Sequence, residues 1–129
     1  MFRYLAEQAT VPIGCHIDRA RTVEECGEGI EHGFSSVMID ESMLDLRANI
    51  DLTAQVIAVA KPQNISVEGE VGVVGYANSP VSLHTSPNDA AAFENETGFD
   101  ALAISIGNLH LQTEQAAEID LASLRAIEG

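Results

Sequence analysis

Short runs of apolar and β-branched residues alternate along the chain with longer segments of helical periodicity. Four strands are predicted in this way, at residues 11–18, 35–40, 65–70 and 101–106. The second strand contains Ser-Val-Met-Ile and is almost wholly apolar, as expected for a strand that is covered on both faces. Strands separated by helices are typical of βα units on a parallel sheet. The pattern therefore predicts an α/β fold of four consecutive βα units with parallel strands.

Residues typical of helix ends bound the segments between these strands. Thr22 and Glu25 are spaced as a capping box, and Gly33 is placed to end that helix. Three further helices are predicted, at residues 46–60, at residues 86–98 and from residue 120 onward. Residues 1–8 look like the end of a preceding helix, so the pattern begins and ends within a repeating unit.

Composition adds expectations about location and partners. A chain of 129 residues is expected to form a single domain over residues 1–129. Its 20 acidic and 6 basic residues give a net charge of −14, which disfavours nucleic acid and anionic membranes as partners. The absence of an 18-residue apolar run or an apolar leader, with only two isolated cysteines, favours a cytoplasmic protein with reduced thiols.

Four segments carry a resemblance to a known enzyme family, in that family's order. Residues 12–19 read Pro-Ile-Gly-Cys-His-Ile-Asp-Arg, where the family has a strand ending in His-Leu-Asp-His. Residues 33–42 read Gly-Phe-Ser-Ser-Val-Met-Ile-Asp-Glu-Ser, and residues 67–72 read Val-Glu-Gly-Glu-Val-Gly. The longest segment is residues 85–110, ending in Ile-Gly-Asn-Leu-His. Together they resemble the class II, zinc-dependent fructose- and tagatose-bisphosphate aldolases.

The resemblance implies half of a TIM (β/α)8 barrel. The chain would supply barrel strands three to six, and its length is about half of the roughly 250 residues typical of that fold. In such an aldolase a divalent metal polarises the ketose carbonyl and stabilises the enediolate. A catalytic zinc needs three protein ligands and an open position.

Candidate site residues follow from matching the family motifs. Asp18 matches the catalytic acid/base aspartate, although it could equally be a strand-end cap. His110 matches a metal ligand, Arg19 replaces a second one, and the third would lie beyond residue 129. A guanidinium cannot ligate zinc, and its charge opposes a nearby cation. Glu70 matches a carboxylate near the metal.

Three more positions are candidates for the same site. Asp40 and Ser42 match residues at a neighbouring strand mouth, where either could instead hold backbone N–H groups. His16 lies two residues before the candidate acid/base position on the same predicted strand and could join Glu70 and His110 as a metal ligand. The simpler interpretation of His16 is a hydrogen-bonded or surface histidine.

Two hypotheses of function remain open. Residues 74–79 lack the acid of the family's mobile loop, and Leu111 replaces a glycine that helps to hold substrate phosphate. One hypothesis is an aldolase-like half-barrel, catalytically inactive as an isolated chain, with zinc bound weakly or not at all. The alternative is a metal-dependent fructose/tagatose-bisphosphate aldolase, a lyase, active only when another chain completes the barrel. In either case a homodimer or other oligomer is expected, with a small phosphorylated sugar as candidate ligand.

Overall fold

The protein is described here by a computed structural model, which covers residues 2–76, 82–111 and 118–129. The helices in these ranges are α1 (Phe2–Gln8), α2 (Val23–Glu31), α3 (Leu46–Ala60), α4 (Pro87–Thr97) and α5 (Leu121–Glu128). The strands are β1 (His16–Ala20), β2 (Ser36–Ile39), β3 (Ser66–Val71), β4 (Gly75–Tyr76), β5 (Ala101–Ile104) and β6 (Leu109–His110). None of these helices has the length and apolarity needed to cross a bilayer.

Four strands form one parallel sheet in the order β1-β2-β3-β5. Helices α2, α3 and α4 pack against this sheet and against one another. The predicted α/β fold of consecutive βα units with parallel strands is therefore confirmed. Strands β4 and β6 form a separate two-stranded parallel pair beyond the ends of β3 and β5.

Apart from shifts of one or two residues, the strands differ from the prediction at two places. β1 begins at His16 rather than at residue 11, and residues 11–14 are exposed. The proline at position 12 has no N–H to donate to a sheet ladder, which removes one reason for the strand to start earlier. The second difference is the pair β4 and β6, whose two-residue strands are too short to produce a detectable alternation.

Side-chain caps begin three of the helices. The Thr22 hydroxyl accepts the N–H of Glu25 at 3.1 Å, as the capping box predicts. The Glu25 carboxylate, however, accepts the N–H of Arg21 at 2.6 Å, one residue before the expected position. Asp45 and Asp120 accept backbone N–H groups at the starts of α3 and α5. These caps fix where each helix leaves its strand.

The apolar core lies between the sheet and the helices. One cluster joins β1, β2 and β3 to α2 and α3, with Val37, Ile39 and Val56 fully buried. A second cluster forms around Phe93 of α4, which contacts Ile50 and Val71. Gly69 makes this contact close, because a β-carbon there would lie 2.7 Å from the ring of Phe93.

The opposite sheet face is polar. Because Ile17, Val37, Val67 and Leu102 pack on the helix side, the residues that alternate with them occupy the other face. These are His16, Asp18, Ser36, Met38, Ser66, Glu68, Glu70, Ala101 and Ala103. We call this set the inner face, since it corresponds to the interior of a closed barrel.

Two glycine substitutions test this packing in opposite directions. Gly69→Ala is expected to destabilise the protein by about 1–3 kcal/mol, because the added methyl group would overlap the ring of Phe93. Gly27→Ala, within α2, meets no atom within 4 Å and is expected to stabilise it by roughly 0.5–1 kcal/mol. Urea unfolding of both variants measures the changes. Equal effects from the two would show that Phe93 does not pack against Gly69 as described.

Candidate functional site

Polar side chains from four segments meet beyond the carboxyl ends of the parallel strands. Arg19 belongs to β1, Asp40 directly follows β2, Glu70 lies near the end of β3 and His110 ends β6. Carboxyl ends of neighbouring parallel strands open at one edge of the sheet, which brings these residues together. We call them the strand-mouth cluster.

The backbone of β1 is irregular at Arg19. This residue has φ of +64°, in the left-handed region that L-residues seldom adopt. The register with β2 also shifts between Ile17 and Ala20. Such an irregularity redirects the side chain at that position and often lies next to an active site. Here it allows Arg19 to extend across the strand mouths.

The Arg19 guanidinium contacts all three other members of the cluster. Its Nη2 lies 2.6 Å from Oδ2 of Asp40, and its Nη1 lies 3.4 Å from Oε2 of Glu70. Nη1 is also 2.6 Å from Nε2 of His110. Because arginine can only donate, Nε2 of His110 must accept, which places the imidazole proton on Nδ1. The lone pair with which His110 would bind a metal is therefore occupied by arginine.

Further hydrogen bonds fix the two carboxyl-bearing segments. The Ser42 hydroxyl and N–H both donate to Oδ1 of Asp40, at 2.7 Å and 3.2 Å. Arg21 donates to the backbone carbonyl of Asp40 at 3.0 Å. The side-chain amide of Asn49, itself buried, donates to the backbone carbonyl of Glu70 at 2.8 Å. Ser42 therefore positions the Asp40 carboxylate towards Arg19.

The site holds two deeply buried acids beside one partly exposed cation. Asp40 and Glu70 are each 1% exposed, whereas the Arg19 side chain is 27% exposed. Burial raises the pKa of Glu70 above its ordinary value, repulsion from Asp40 raises it further, and Arg19 offsets part of this rise. The buried Oε1 of Glu70 has no hydrogen-bond partner within the described ranges. The buried Oδ2 of Asp40 likewise has no hydrogen-bond partner there beyond its ion pair with Arg19, and hydrogen bonds from the backbone of Val74 and the side chain of Ser42 lower the pKa of Glu70.

The residues present do not fit a catalytic metal ion. A zinc ion needs the lone pair of His110 and a second nitrogen or oxygen ligand where Arg19 stands, but the guanidinium fills that space and carries a positive charge. Across residues 2–76, 82–111 and 118–129 no group of three or more His, Cys, Asp or Glu side chains is arranged to hold a metal.

The structure separates two of the predicted site residues from the cluster. Nδ1 of His16 lies 2.8 Å from the Ser36 hydroxyl, and its Nε2 lies 3.7 Å from the Glu68 carboxylate. These contacts are nearer the amino ends of the strands than Glu70. The Asp18 side chain is exposed and makes no hydrogen bond or ion pair with any described residue. Neither the metal role of His16 nor the acid/base role of Asp18 is tested by this arrangement.

Two residues beside the cluster, Tyr76 and Arg21, belong to no motif, and the sequence does not identify them as site residues. The ring of Tyr76 contacts that of His110 in a tilted arrangement, with centroids 5.1 Å apart and planes at 45°. Arg21 adds a second, more distant cation, 3.8 Å from Oδ2 of Asp40. The acid-free loop assigned to residues 74–79 is described only as far as Tyr76. Residues 77–79 lie outside the described ranges.

The raised pKa of Glu70 makes stability depend on pH. Between the ordinary glutamate pKa and the raised folded-state pKa, the folded protein binds more protons than the unfolded chain, so stability falls as pH rises through this window. Glu70→Gln removes this dependence. We therefore expect Glu70→Gln to become progressively more stable relative to the unmodified protein as pH increases across the window. Urea unfolding at a series of pH values measures this, with Glu68→Gln on the same face as control. A constant difference at all pH values would contradict it.

Comparison with known proteins identifies the family. The family model described as "Fructose-bisphosphate aldolase class-II" matches residues 1–129. The 6-phospho-5-dehydro-2-deoxy-D-gluconate aldolase of Shouchella clausii is 36% identical over 123 residues, covering 93% of this chain but 42% of its own length. The chain thus spans less than half the length of this curated relative.

Solved structures agree with this match. The crystal structure of the YdjI aldolase from Escherichia coli K12 superposes with a TM-score of 0.81 at 33% identity, covering 97% of this chain and 43% of that protein. A candidate fructose-1,6-biphosphate aldolase from Coccidioides immitis gives a TM-score of 0.84 at 27% identity, covering 97% and 47%. The resemblance and the partial-barrel fold expected from the sequence are therefore confirmed, and the chain belongs to the class II fructose-bisphosphate aldolase family.

Proposed function

We propose that this chain is a class II aldolase-like half-barrel that has no metal-dependent aldolase activity by itself. The observation that supports this most directly is the 2.6 Å contact between the Arg19 guanidinium and Nε2 of His110. Metal-assisted carbonyl polarisation requires a cation with an open coordination position for substrate oxygen. A guanidinium that is already bound to two carboxylates and an imidazole provides no such position.

The region after His110 supports the same proposal. Leu111, at the position where the family has a phosphate-binding glycine, has φ of +51° and is 81% exposed. A glycine there would adopt this backbone without strain and would leave room for a phosphate to approach the N–H groups. A leucine side chain adds bulk at that point. The acidic surface, with a net charge of −14, further disfavours a sugar bisphosphate.

The alternative function is a fructose/tagatose-bisphosphate aldolase that is active when another chain completes the barrel. Asp18 favours this alternative, because its carboxylate is exposed and unengaged by any described residue, as an acid/base group awaiting substrate would be. In that assembly Asp18 would exchange a proton with the substrate hydroxyl. The remaining ligands and the phosphate site would come from the other chain.

The inner face supports association. Aligned polar groups such as His16 and Glu68 would line the interior of a closed barrel, and β1 and β5 are the edges of the four-stranded sheet. Unpaired strand edges favour pairing with further strands. We propose a second copy of this chain as the occupant, giving an eight-stranded assembly with two-fold symmetry.

An activity assay separates the two functions. The protein, mixed with zinc and with fructose or tagatose bisphosphate, is expected to release dihydroxyacetone phosphate no faster than the uncatalysed control. Asp18→Asn is measured beside it, with Asp51→Asn on the exposed side of α3 as the matched change. Zinc-dependent release that Asp18→Asn abolishes and Asp51→Asn retains would overturn the proposal in favour of the alternative.

Sedimentation equilibrium tests the association. We expect a dimer at micromolar concentration whose dissociation constant falls as salt is added, because salt screens the repulsion between two acidic chains. Ala101→Glu, on the exposed inner face of β5, is expected to weaken the dimer by about tenfold or more. Ala91→Glu on the exposed side of α4 serves as the control and should have little effect. A compact monomer for the unmodified chain would contradict the association.

A further inference from the structure

We infer that α5 of one copy docks in a groove beside β1 and α2 of a second copy, where Arg125 pairs with Glu28. The inference rests on the proposed association of two copies, because it names the helix and the groove through which they meet. This contact lies in the helix layer, away from the inner face and from the strand-mouth cluster. Its test is therefore independent of the aldolase assay.

The helices that cover the sheet form a row with two open ends. α2 packs against α3, α3 against α4, and α4 against α5. α2 and α5 are therefore the two ends of the row. In a closed barrel of βα units the helices form a complete outer ring, so every helix has a neighbour on both sides. A two-fold axis would place α5 of each copy beside α2 of the other, which closes the ring at both junctions.

A groove lies along the edge of β1 at the α2 end of this row. It is lined by the apolar side chains of Ile17 and Phe34, and by Glu25 and Glu28 of α2. Its volume is about 410 Å³, many times the roughly 30 Å³ that one water molecule occupies. The groove can therefore take side chains of another segment.

The length of the free groove matches α5. At the amino end of β1, Leu5 and Ala6 of α1 line a cavity together with Ile13 and Phe34. Phe34 also lines the groove, so α1 covers the lower part of this strand edge and the groove continues above it. α3, which crosses the sheet, has 15 residues, whereas α1 has seven and α5 has eight. α1 therefore leaves room beside β1 for a second helix segment about as long as α5.

One face of α5 is suited to this groove. The half-buried residues Leu124 and Ile127 share one face of the helix. At 3.6 residues per turn, the opposite face is formed by Leu121, Ala122, Arg125 and Ala126, all of which are exposed. Leu121 is 56% exposed. This face is apolar except for one positive charge, as the lining of the groove is apolar except for its charges.

Charge favours a second copy as the occupant. Glu25 and Glu28 make the α2 side of the groove acidic, and Arg125 is one of only 6 basic residues in the chain. α2 directly follows β1, and the N–H of Asp120 at the start of α5 donates to the carbonyl of Ile106, just beyond β5. Both helices therefore begin at the carboxyl ends of strands and would run in the same direction. Arg125 and Glu28 each lie in the second turn of their helix, at the same level.

Sedimentation equilibrium of charge-reversal variants tests the inference. Glu28→Arg is expected to raise the dissociation constant of the dimer about tenfold or more, because two arginines then face each other. General repulsion between the copies predicts the opposite, since this change makes the net charge of −14 less negative. Arg125→Glu is expected to weaken the dimer similarly. The double variant Glu28→Arg/Arg125→Glu should return the dissociation constant to within about threefold of the original value.

Glu31→Arg is the matched control. It makes the same charge change on α2 at an exposed position outside the residues that line the groove, and it should not weaken the dimer. Should a charge reversal prevent folding, as judged by circular dichroism, Glu28→Gln and Arg125→Gln replace it. Each of these is expected to weaken the dimer about threefold, and no weakening overturns the inference.

The remaining outcomes separate this inference from the proposed association. If the unmodified chain dimerises and neither reversal weakens the dimer, the inference is overturned while the association stands. Weakening by both reversals without recovery in the double variant also overturns the pairing of Arg125 with Glu28. A monomeric unmodified chain overturns both the association and the inference.

Discussion

The interaction on which the rest of the site depends is the bridge from Arg19 to Asp40, Glu70 and His110. Parallel strands bring the two acids to one edge of the sheet, where both are almost completely buried. A buried pair of carboxylates requires a cation in contact with it. In this chain that cation is the side chain of Arg19 in β1, which offsets part of the negative charge of the two acids.

Family membership rests on the fold and the motifs, whereas the proposed loss of the family's chemistry rests on the strand-mouth cluster. The fold, the order of the motifs and the similarity to known aldolases all place the chain in the class II family. A fold can persist while its site changes, because the core contacts that stabilise it are distinct from the residues that act on a substrate. Here the core residues of β2 and β3 pack on the helix side, whereas the altered position lies at the strand mouth. Arg19 therefore lies outside the core contacts that stabilise the fold.

Local signals in the sequence predicted most of the fold. The helix predicted at residues 46–60 has those same bounds in the structure, because Asp45 caps its start and Pro62 stops its continuation. The alternation of strands and helices was sufficient to predict the parallel sheet. The prediction that the first strand begins at residue 11 was wrong, because strand pairing of residues 11–15 depends on tertiary contacts that the local pattern does not contain.

The candidate site was only partly predictable. Motif matching identified all four members of the cluster, including Arg19 as the replaced ligand position. Strict alternation along β1, however, would place the Arg19 side chain on the opposite face from Asp18. The left-handed backbone and the register shift at Arg19 decide its direction, and neither leaves a signal in the residue pattern. The contact between the rings of Tyr76 and His110 depends on the short β4 and β6 pair, which the residue pattern does not reveal either.

The position of the apolar core bears on whether this chain folds before or after it associates with another chain. Within the described ranges, both buried clusters lie between the sheet and α2, α3 and α4, and neither includes a residue of the inner face. The inner face consists mainly of groups that water can solvate, such as Ser66 and Glu68. Folding and association are therefore separable events. Such a unit could fold on its own before any barrel closed around it, which is the property that duplication and fusion of barrel halves would require.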